Sequence, residues 1–271
     1  MEIAIRGHRC VYDQVGSGPD LVLLHSVGLS TREGWREQTE ALARHFRVLT
    51  FDFRGLGQSE RGAGPLGVAT FVADLEALLQ SLDIKRTALM GVSLGGFVAQ
   101  AFALRRPEMV LALVLVSTTC RIFAGNAQRR AERNQSIRAS GMAAAADHQI
   151  ASHFPPEFAA AHPDTMDWYQ RHYLANDPES YIAIMDDLGR FDTCGRLKDI
   201  RCPTLIVAGD QDATSVAGRK PLDSATALNE GIAGSELFVI QGANHYPQLD
   251  HAAAFNARTI LFLQKAVAAA T

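Results

Sequence analysis

Five short apolar runs, each closed off by turn residues, constrain this chain more than any other feature. Residues 21–24, 48–51, 87–90, 110–116 and 204–208 are almost unbroken stretches of Leu, Val, Ile, Ala, Phe, Met and Thr. Runs of this kind suit strands buried on both faces, the situation in a parallel sheet covered by helices. The segments between them carry the other period. Residues 70–82 place Phe71, Leu75, Leu78, Leu79 and Leu82 on one helical stripe. Residues 94–105 read as a second helix, stopped by Pro107, and 35–45 as a third. Two short strands at 3–6 and 10–15, parted by Gly7, open the chain, and a last strand at 236–240 precedes a closing helix from His251. The alternation predicts an α/β fold with a mostly parallel eight-stranded sheet flanked by helices on both faces.

The rhythm is interrupted once. Residues 121–196 are polar and helical, contain Pro155, Pro156, Pro163 and Pro178, and hold no run of the buried-strand type. An insertion that leaves the sheet after a strand lies over the carboxyl edge, where open α/β sheets bind ligands. The expected organisation is a core of residues 1–120 and 197–271 with a helical cap of residues 121–196.

Composition removes several classes of function. The 26 basic and 29 acidic residues leave a net charge of −3, without the basic excess of a nucleic-acid binder. No apolar run approaches the roughly 18 residues of a membrane span, and residues 1–6 lack the apolar core of a secretory signal. Cys10, Cys120, Cys194 and Cys202 show neither Cys-x-x-Cys nor metal-finger spacing. Four free thiols in a reducing compartment are expected, in a cytoplasmic protein without metal or cofactor that acts on a small molecule, away from nucleic acid and membranes. At this length the core needs no covalent staple. Oligomeric state is not legible.

The chemistry centres on Gly91-Val92-Ser93-Leu94-Gly95-Gly96. The glycine-serine pattern alone is common, but here it joins an apolar strand directly to an apolar helix, the context of a nucleophile elbow. So sharp a turn leaves no room for side chains two positions either side of the serine, and Gly91 and Gly95 meet that demand. The competing reading is an ordinary helix-capping serine in a glycine-rich turn. A serine hydroxyl needs a base. With the order serine, acid, histidine along the chain, only His245 and His251 lie late enough. His245 follows the last strand at the active edge, whereas His251 heads the final helix, a position suited to solvent. For the acid that orients the imidazole, Asp210 and Asp212 compete after the strand at 204–208. Asp210 is placed to cap the turn, and Asp212 reaches further out, so Asp212 is expected to serve. The oxyanion donors are expected to be the Leu94 amide and the Val27 amide in the loop His25-Ser26-Val27-Gly28-Leu29, with His25 bracing that loop.

With these elements in place the sequence resembles the α/β-hydrolase superfamily over essentially its whole length. Asp52-Phe53-Arg54-Gly55-Leu56-Gly57-Gln58-Ser59 is similar to the family's D-x-R-G-x-G-x-S loop, whose role is mainly structural. Serine at 93 separates the chain from the epoxide hydrolase and haloalkane dehalogenase branches, which use aspartate. Within the superfamily it resembles 3-oxoadipate enol-lactonase-like serine hydrolases. His25-Ser26-Val27-Gly28 is similar to their Asn-Ser-Leu-Gly oxyanion loop, and residues 45–49, 114–122 and 136–142 follow their pattern. The departures are Leu94 in place of Met, Arg133 near the position of a cap tryptophan, and a longer segment at 215–231. The resemblance implies an α/β-hydrolase fold and a serine esterase or lactonase with a catalytic triad of Ser93, His245 and Asp212, active in aromatic-compound catabolism. It further implies substrate contacts at Ser26 and Arg133. An enol-lactone bearing a carboxylate calls for a cap cation, for which Arg121, Arg129, Arg130, Arg133 and Arg138 are candidates; the alternative is a solvated helix face. General carboxylesterase, cofactor-free perhydrolase, carbon–carbon bond hydrolase and receptor-like ligand binder are the other readings of the same pattern.

Overall fold

Residues 1–122, 127–212 and 222–270 are described by a computed structural model of the protein. The chain opens with β1 (Glu2–Ile5), β2 (His8–Val15) and β3 (Asp20–Leu24), followed by two short helices, α1 (Thr31–Gly34) and α2 (Thr39–Ala43). Next come β4 (Arg47–Phe51), α3 (Val68–Ser81), β5 (Thr87–Val92), α4 (Leu94–Arg105) and β6 (Val110–Val116). Among the described residues, five α-helices separate β6 from the next strand: α5 (Ala127–Ser140), α6 (Ala143–His153), α7 (Pro156–Ala161), α8 (Pro163–Leu174) and α9 (Pro178–Leu188). The chain then closes with β7 (Thr204–Gly209), α10 (Asp223–Gly231), β8 (Glu236–Ile240), α11 (Pro247–Asp250) and α12 (Ala252–Ala268).

The strands form one sheet in the order β1-β2-β4-β3-β5-β6-β7-β8. The β1–β2 and β2–β4 pairs are antiparallel, and every pairing from β4 onward is parallel. The hairpin β1–β2 turns on Arg6 and Gly7, both at positive φ, which matches the right-handed twist of the flanking strands. Every residue of β5, β6 and β7 is buried, as the unbroken apolar runs require. At the edge, β8 is mostly half-buried. Because β3 to β8 run the same way, the loops after β3, β5, β7 and β8 emerge from one rim of the sheet.

The loop after β4 is tied down by charge. Arg54 donates through Nε and Nη2 to the two oxygens of Asp74 on α3, at 2.9 and 2.7 Å, and both side chains are buried. Arg6 donates to Asp74 from the hairpin at 2.9 Å. Ser59 Oγ accepts the Val11 N–H and Asp52 Oδ2 accepts the Gln58 N–H, each at 2.9 Å. Residues 52–59 are thereby fixed to β2 and α3.

Two sequence expectations are corrected. The helix expected over 35–45 is not continuous. The Gln38 and Thr39 N–H groups both donate to the Trp35 carbonyl, and the buried Gln38 side chain donates to Gln248 O at 2.6 Å and Asn256 Oδ1 at 3.1 Å. These partners lie more than 200 residues away, and they hold a tight turn where local periodicity favours helix. The four cysteines are not all free: Cys120 and Cys194 form a disulfide with Cα atoms 4.9 Å apart, and Cys10 and Cys202 are the free thiols. The bridge spans 74 residues and joins the segment leaving β6 to the segment entering β7, adjacent strands in the sheet. The Thr193 N–H donates to the Cys120 carbonyl beside it. Only the fold brings these two cysteines together.

Candidate active site

Ser93 occupies the turn between β5 and α4 at φ 51° and ψ −113°, a left-handed conformation for a side chain with a Cβ. The crowding that forces this turn is measurable. A Cβ on Gly91 would lie 2.3 Å from the Gly95 carbonyl oxygen, and one on Gly95 would lie 2.1 Å from that of Leu24. The strain is held by the sheet and helix around it: the Ser93 N–H donates to Val116 O at 2.9 Å, its carbonyl accepts from Gly96 and Phe97, and Thr118 Oγ1 donates to it at 3.1 Å. The Ser93 side chain makes no capping bond to α4, so the helix-cap reading of this serine finds no support. Leu94 opens α4, where an N–H has no intrahelical acceptor.

The loop after β8 brings His245 to the same rim. Its Nδ1 is 2.9 Å from Asp212 Oδ2, in the loop after β7, and both residues are buried. Asp210 does something else: its Oδ1 accepts the Gly242 N–H at 2.7 Å and stabilises the turn after β8. Of the two candidate acids, Asp212 is therefore the one bonded to the imidazole. His251 instead pairs with its neighbour Asp250 at 3.1 Å.

The loop after β3 is braced by His25. The Phe53 N–H donates to its Nε2 at 2.9 Å, which leaves Nδ1–H to donate to the Ser26 carbonyl at 2.6 Å. Complete burial pushes the His25 imidazole below its usual value, so the ring stays neutral and the two bonds fix one tautomer. Val27 follows directly in this fixed loop. The Ser26 hydroxyl accepts from Tyr246 Oη at 3.1 Å.

Three of the cap arginines are bonded to cap carboxylates. Arg133 Nη2 donates to Asp186 Oδ1 on α9 at 3.0 Å and also to Asn134 Oδ1 at 2.8 Å. Arg138 pairs with Glu179 at 2.8 Å, and Arg121 with Asp192 at 3.3 Å. The Arg129 side chain and residues 215–221 lie outside the described residues. Among the described residues no cluster of three or more His, Cys, Asp or Glu is arranged to hold a metal ion, and no helix is long and apolar enough to cross a membrane.

Three aromatic residues near His245 carry no sequence signal. His153, at the end of α6, stacks on the His245 ring; Tyr169 of α8 and Tyr246 complete a buried cluster around it. Nothing in the spacing of α6 or α8 distinguishes these positions from ordinary core residues.

A strained serine elbow on a parallel sheet, with an acid–histidine pair on the same rim, defines a class of protein, and the family comparison agrees. The model of the alpha/beta hydrolase fold matches residues 19–252, and the chain belongs to that family. Among curated relatives, 3-oxoadipate enol-lactonase 2 of Acinetobacter baylyi is 28% identical over 239 residues, covering 88% of this chain and 86% of the relative. The crystal structure of the enol-lactonase from Burkholderia xenovorans LB400 superposes with a TM-score of 0.89 at 27% identity, over 97% of this chain and all of that one. A thermophilic esterase from Thermogutta terrifontis, determined with malate bound, gives a TM-score of 0.89 at 26% identity, covering 98% and 99%. The protein is a hydrolase of this fold.

Proposed function

We propose that the protein cleaves a carboxylic ester or lactone through an acyl-enzyme on Ser93. The observation that carries the reading is the Asp212–His245 bond at the rim that also bears the strained elbow of Ser93. His245 Nε2 takes the Ser93 proton as Oγ attacks the substrate carbonyl, and the C–O bond forms. Asp212 holds the imidazole by its Nδ1–H and stabilises the imidazolium. The tetrahedral oxyanion rests on the Val27 and Leu94 amides. These donors are fixed before reaction by the His25-braced loop and the head of α4, so they need no reorganisation as charge develops. Collapse breaks the bond to the leaving oxygen, which receives the proton from His245. Water then gives its proton to His245 as it attacks the acyl carbonyl. The acid is released and the proton returns to Ser93.

The enol-lactonase relatives favour a lactone, with 3-oxoadipate enol-lactone the particular substrate to test. Helices α5 to α9 serve as the cap that closes over it, and Ser26, in the oxyanion loop, serves as a substrate contact. A carboxylate-bearing substrate reaches Arg133 only by competing with Asp186, so the cap arginines are a weaker feature of this reading than the triad. Turnover of 3-oxoadipate enol-lactone against short-chain nitrophenyl esters, under matched conditions, tests the assignment. The expected result is hydrolysis lost by about 10⁴-fold or more in Ser93→Ala. Wild-type turnover in that variant would end the nucleophile assignment. Negligible sustained turnover of every ester and lactone by the wild type would favour a ligand-binding role.

A further inference from the structure

The catalytic machinery proposed above uses one face of the His245 environment, and the other face belongs to the cap. The His153 ring lies nearly flat on that of His245, with centroids 4.2 Å apart and planes inclined by 19°. The contact continues through the backbone, where the His245 N–H donates to the His153 carbonyl at 3.4 Å. His153 is itself held from several directions. Its Nδ1 is hydrogen-bonded to Tyr169 Oη, that hydroxyl is 3.3 Å from Tyr246 Oη, and Tyr246 Oη is 3.1 Å from Ser26 Oγ. Tyr246 presents its edge to the His153 ring at 85°. A chain of polar contacts thus runs from the cap helices α6 and α8 into the loop that carries Val27.

We propose that His153 is a positioning residue for His245: its ring covers one face of the base, excludes water there and fixes the plane in which Nδ1 meets Asp212. This inference rests on the reading of His245 as the base. The titratable groups around His153 are His148 on its own helix, Tyr169 on α8, and His245 and Tyr246 in the loop after β8. Burial first, and the neighbouring His245 second, push the His153 imidazole well below its usual value, so it faces the base as a neutral ring. A neutral stacked ring imposes no charge repulsion on the imidazolium that forms during acylation. A base that is clamped in this way works only while α6 is seated, so the cap helps build the catalytic geometry as well as cover it.

Three substitutions separate the ring from the hydrogen bond. His153→Phe keeps a ring on His245 and loses the bond to Tyr169. His153→Gln keeps a polar partner for Tyr169 and loses the ring. His153→Ala loses both. The expected order is His153→Phe within about threefold of wild-type kcat, with Gln and Ala lowered about tenfold or more and KM changed far less. In Gln and Ala, water reaches the exposed imidazole face and the plane of the base is no longer fixed, so the loss falls on kcat. A Gln variant at wild-type rate with an impaired Phe variant would overturn the inference and leave His153 as a cap anchor only. All three variants at wild-type rate would overturn it as well. His245→Ala distinguishes the two levels: wild-type activity there removes the underlying base assignment, whereas an inactive His245→Ala beside unaffected His153 variants removes this inference alone.

Discussion

The Arg54–Asp74 pair offers a quantitative test of how the loop at residues 52–59 is held. The two side chains are 5% and 2% exposed and joined by two bonds of 2.9 and 2.7 Å. Asp74→Ala removes both. The buried guanidinium then keeps the carbonyls of Ala63 at 3.0 Å and Arg6 at 3.4 Å, without a carboxylate to offset its charge among its described hydrogen-bond partners. Removing one partner of a buried ion pair costs about 3–5 kcal/mol, because the remaining charge is left in a poorly solvating interior. In a chain of this size about 1 kcal/mol moves the melting point by roughly 2–4 °C, so the expected loss is on the order of 10 °C. The double substitution Arg54→Met/Asp74→Leu removes both charges together and should be clearly less destabilised than Asp74→Ala. Arg6 then faces solvent, at little cost, since its side chain is already half exposed. Urea unfolding followed by circular dichroism, with linear extrapolation to water, measures each member of the cycle. An Asp74→Ala loss under about 1 kcal/mol would refute the reasoning. So would a double variant as unstable as Asp74→Ala.

Three further predictions follow from particular contacts. Cys194→Ser, or reduction of the wild type, should lower the melting point: closing a loop of this length constrains the unfolded chain by at most about 4.5 kcal/mol in the entropy model, and identical melts with and without reductant would exclude the Cys120–Cys194 bridge. His25 and His153 are both pushed below their usual value by burial. The unfolded chain therefore takes up their protons first, and stability should fall as pH drops below about 6.5, by as much as about 1.4 kcal/mol per pH unit for each. Melting curves between pH 7 and pH 5 should show this slope, flatter in His153→Phe, and a melting point independent of pH over that range contradicts the buried neutral state. Asp212→Asn should lower kcat on the order of 10³–10⁴-fold through loss of the bond to His245, while Asp210→Asn, which only weakens the Gly242 turn, should lower it far less; the reverse order in steady-state ester hydrolysis would exchange their roles.

The strands were legible because the buried sheet leaves a local mark. Leu21 to Leu24 or Val110 to Val116 admit no solvated face, and the sequence shows it residue by residue. The elbow was legible for a steric reason, since only glycine fits at 91 and 95. Loop reach alone pointed to Asp212 rather than Asp210 as the partner of His245, and the Asp212 carboxylate is the one hydrogen-bonded to that ring. What the sequence hides are contacts between distant segments whose individual residues look ordinary. Gln38 reads as a helix residue until its partners Gln248 and Asn256 are known. Cys120 and Cys194 carry no spacing signal because the bridge depends on β6 and β7 being neighbours. His153 reads as one more polar residue in an alanine-rich helix, and its place against His245 follows from how α6 docks on the core. The cap arginines failed to discriminate for a related reason: whether such a cation faces a ligand or a carboxylate on the next helix depends on packing that periodicity does not encode.

Intact-protein and peptide mass spectrometry after brief exposure to p-nitrophenyl acetate, or to a fluorophosphonate that captures activated serines, bears most directly on the central claim. One adduct per chain should form, it should map to the hydroxyl between Val92 and Leu94, and the Ser93→Ala protein should remain unlabelled. Labelling at another residue, or undiminished labelling of Ser93→Ala, would contradict it.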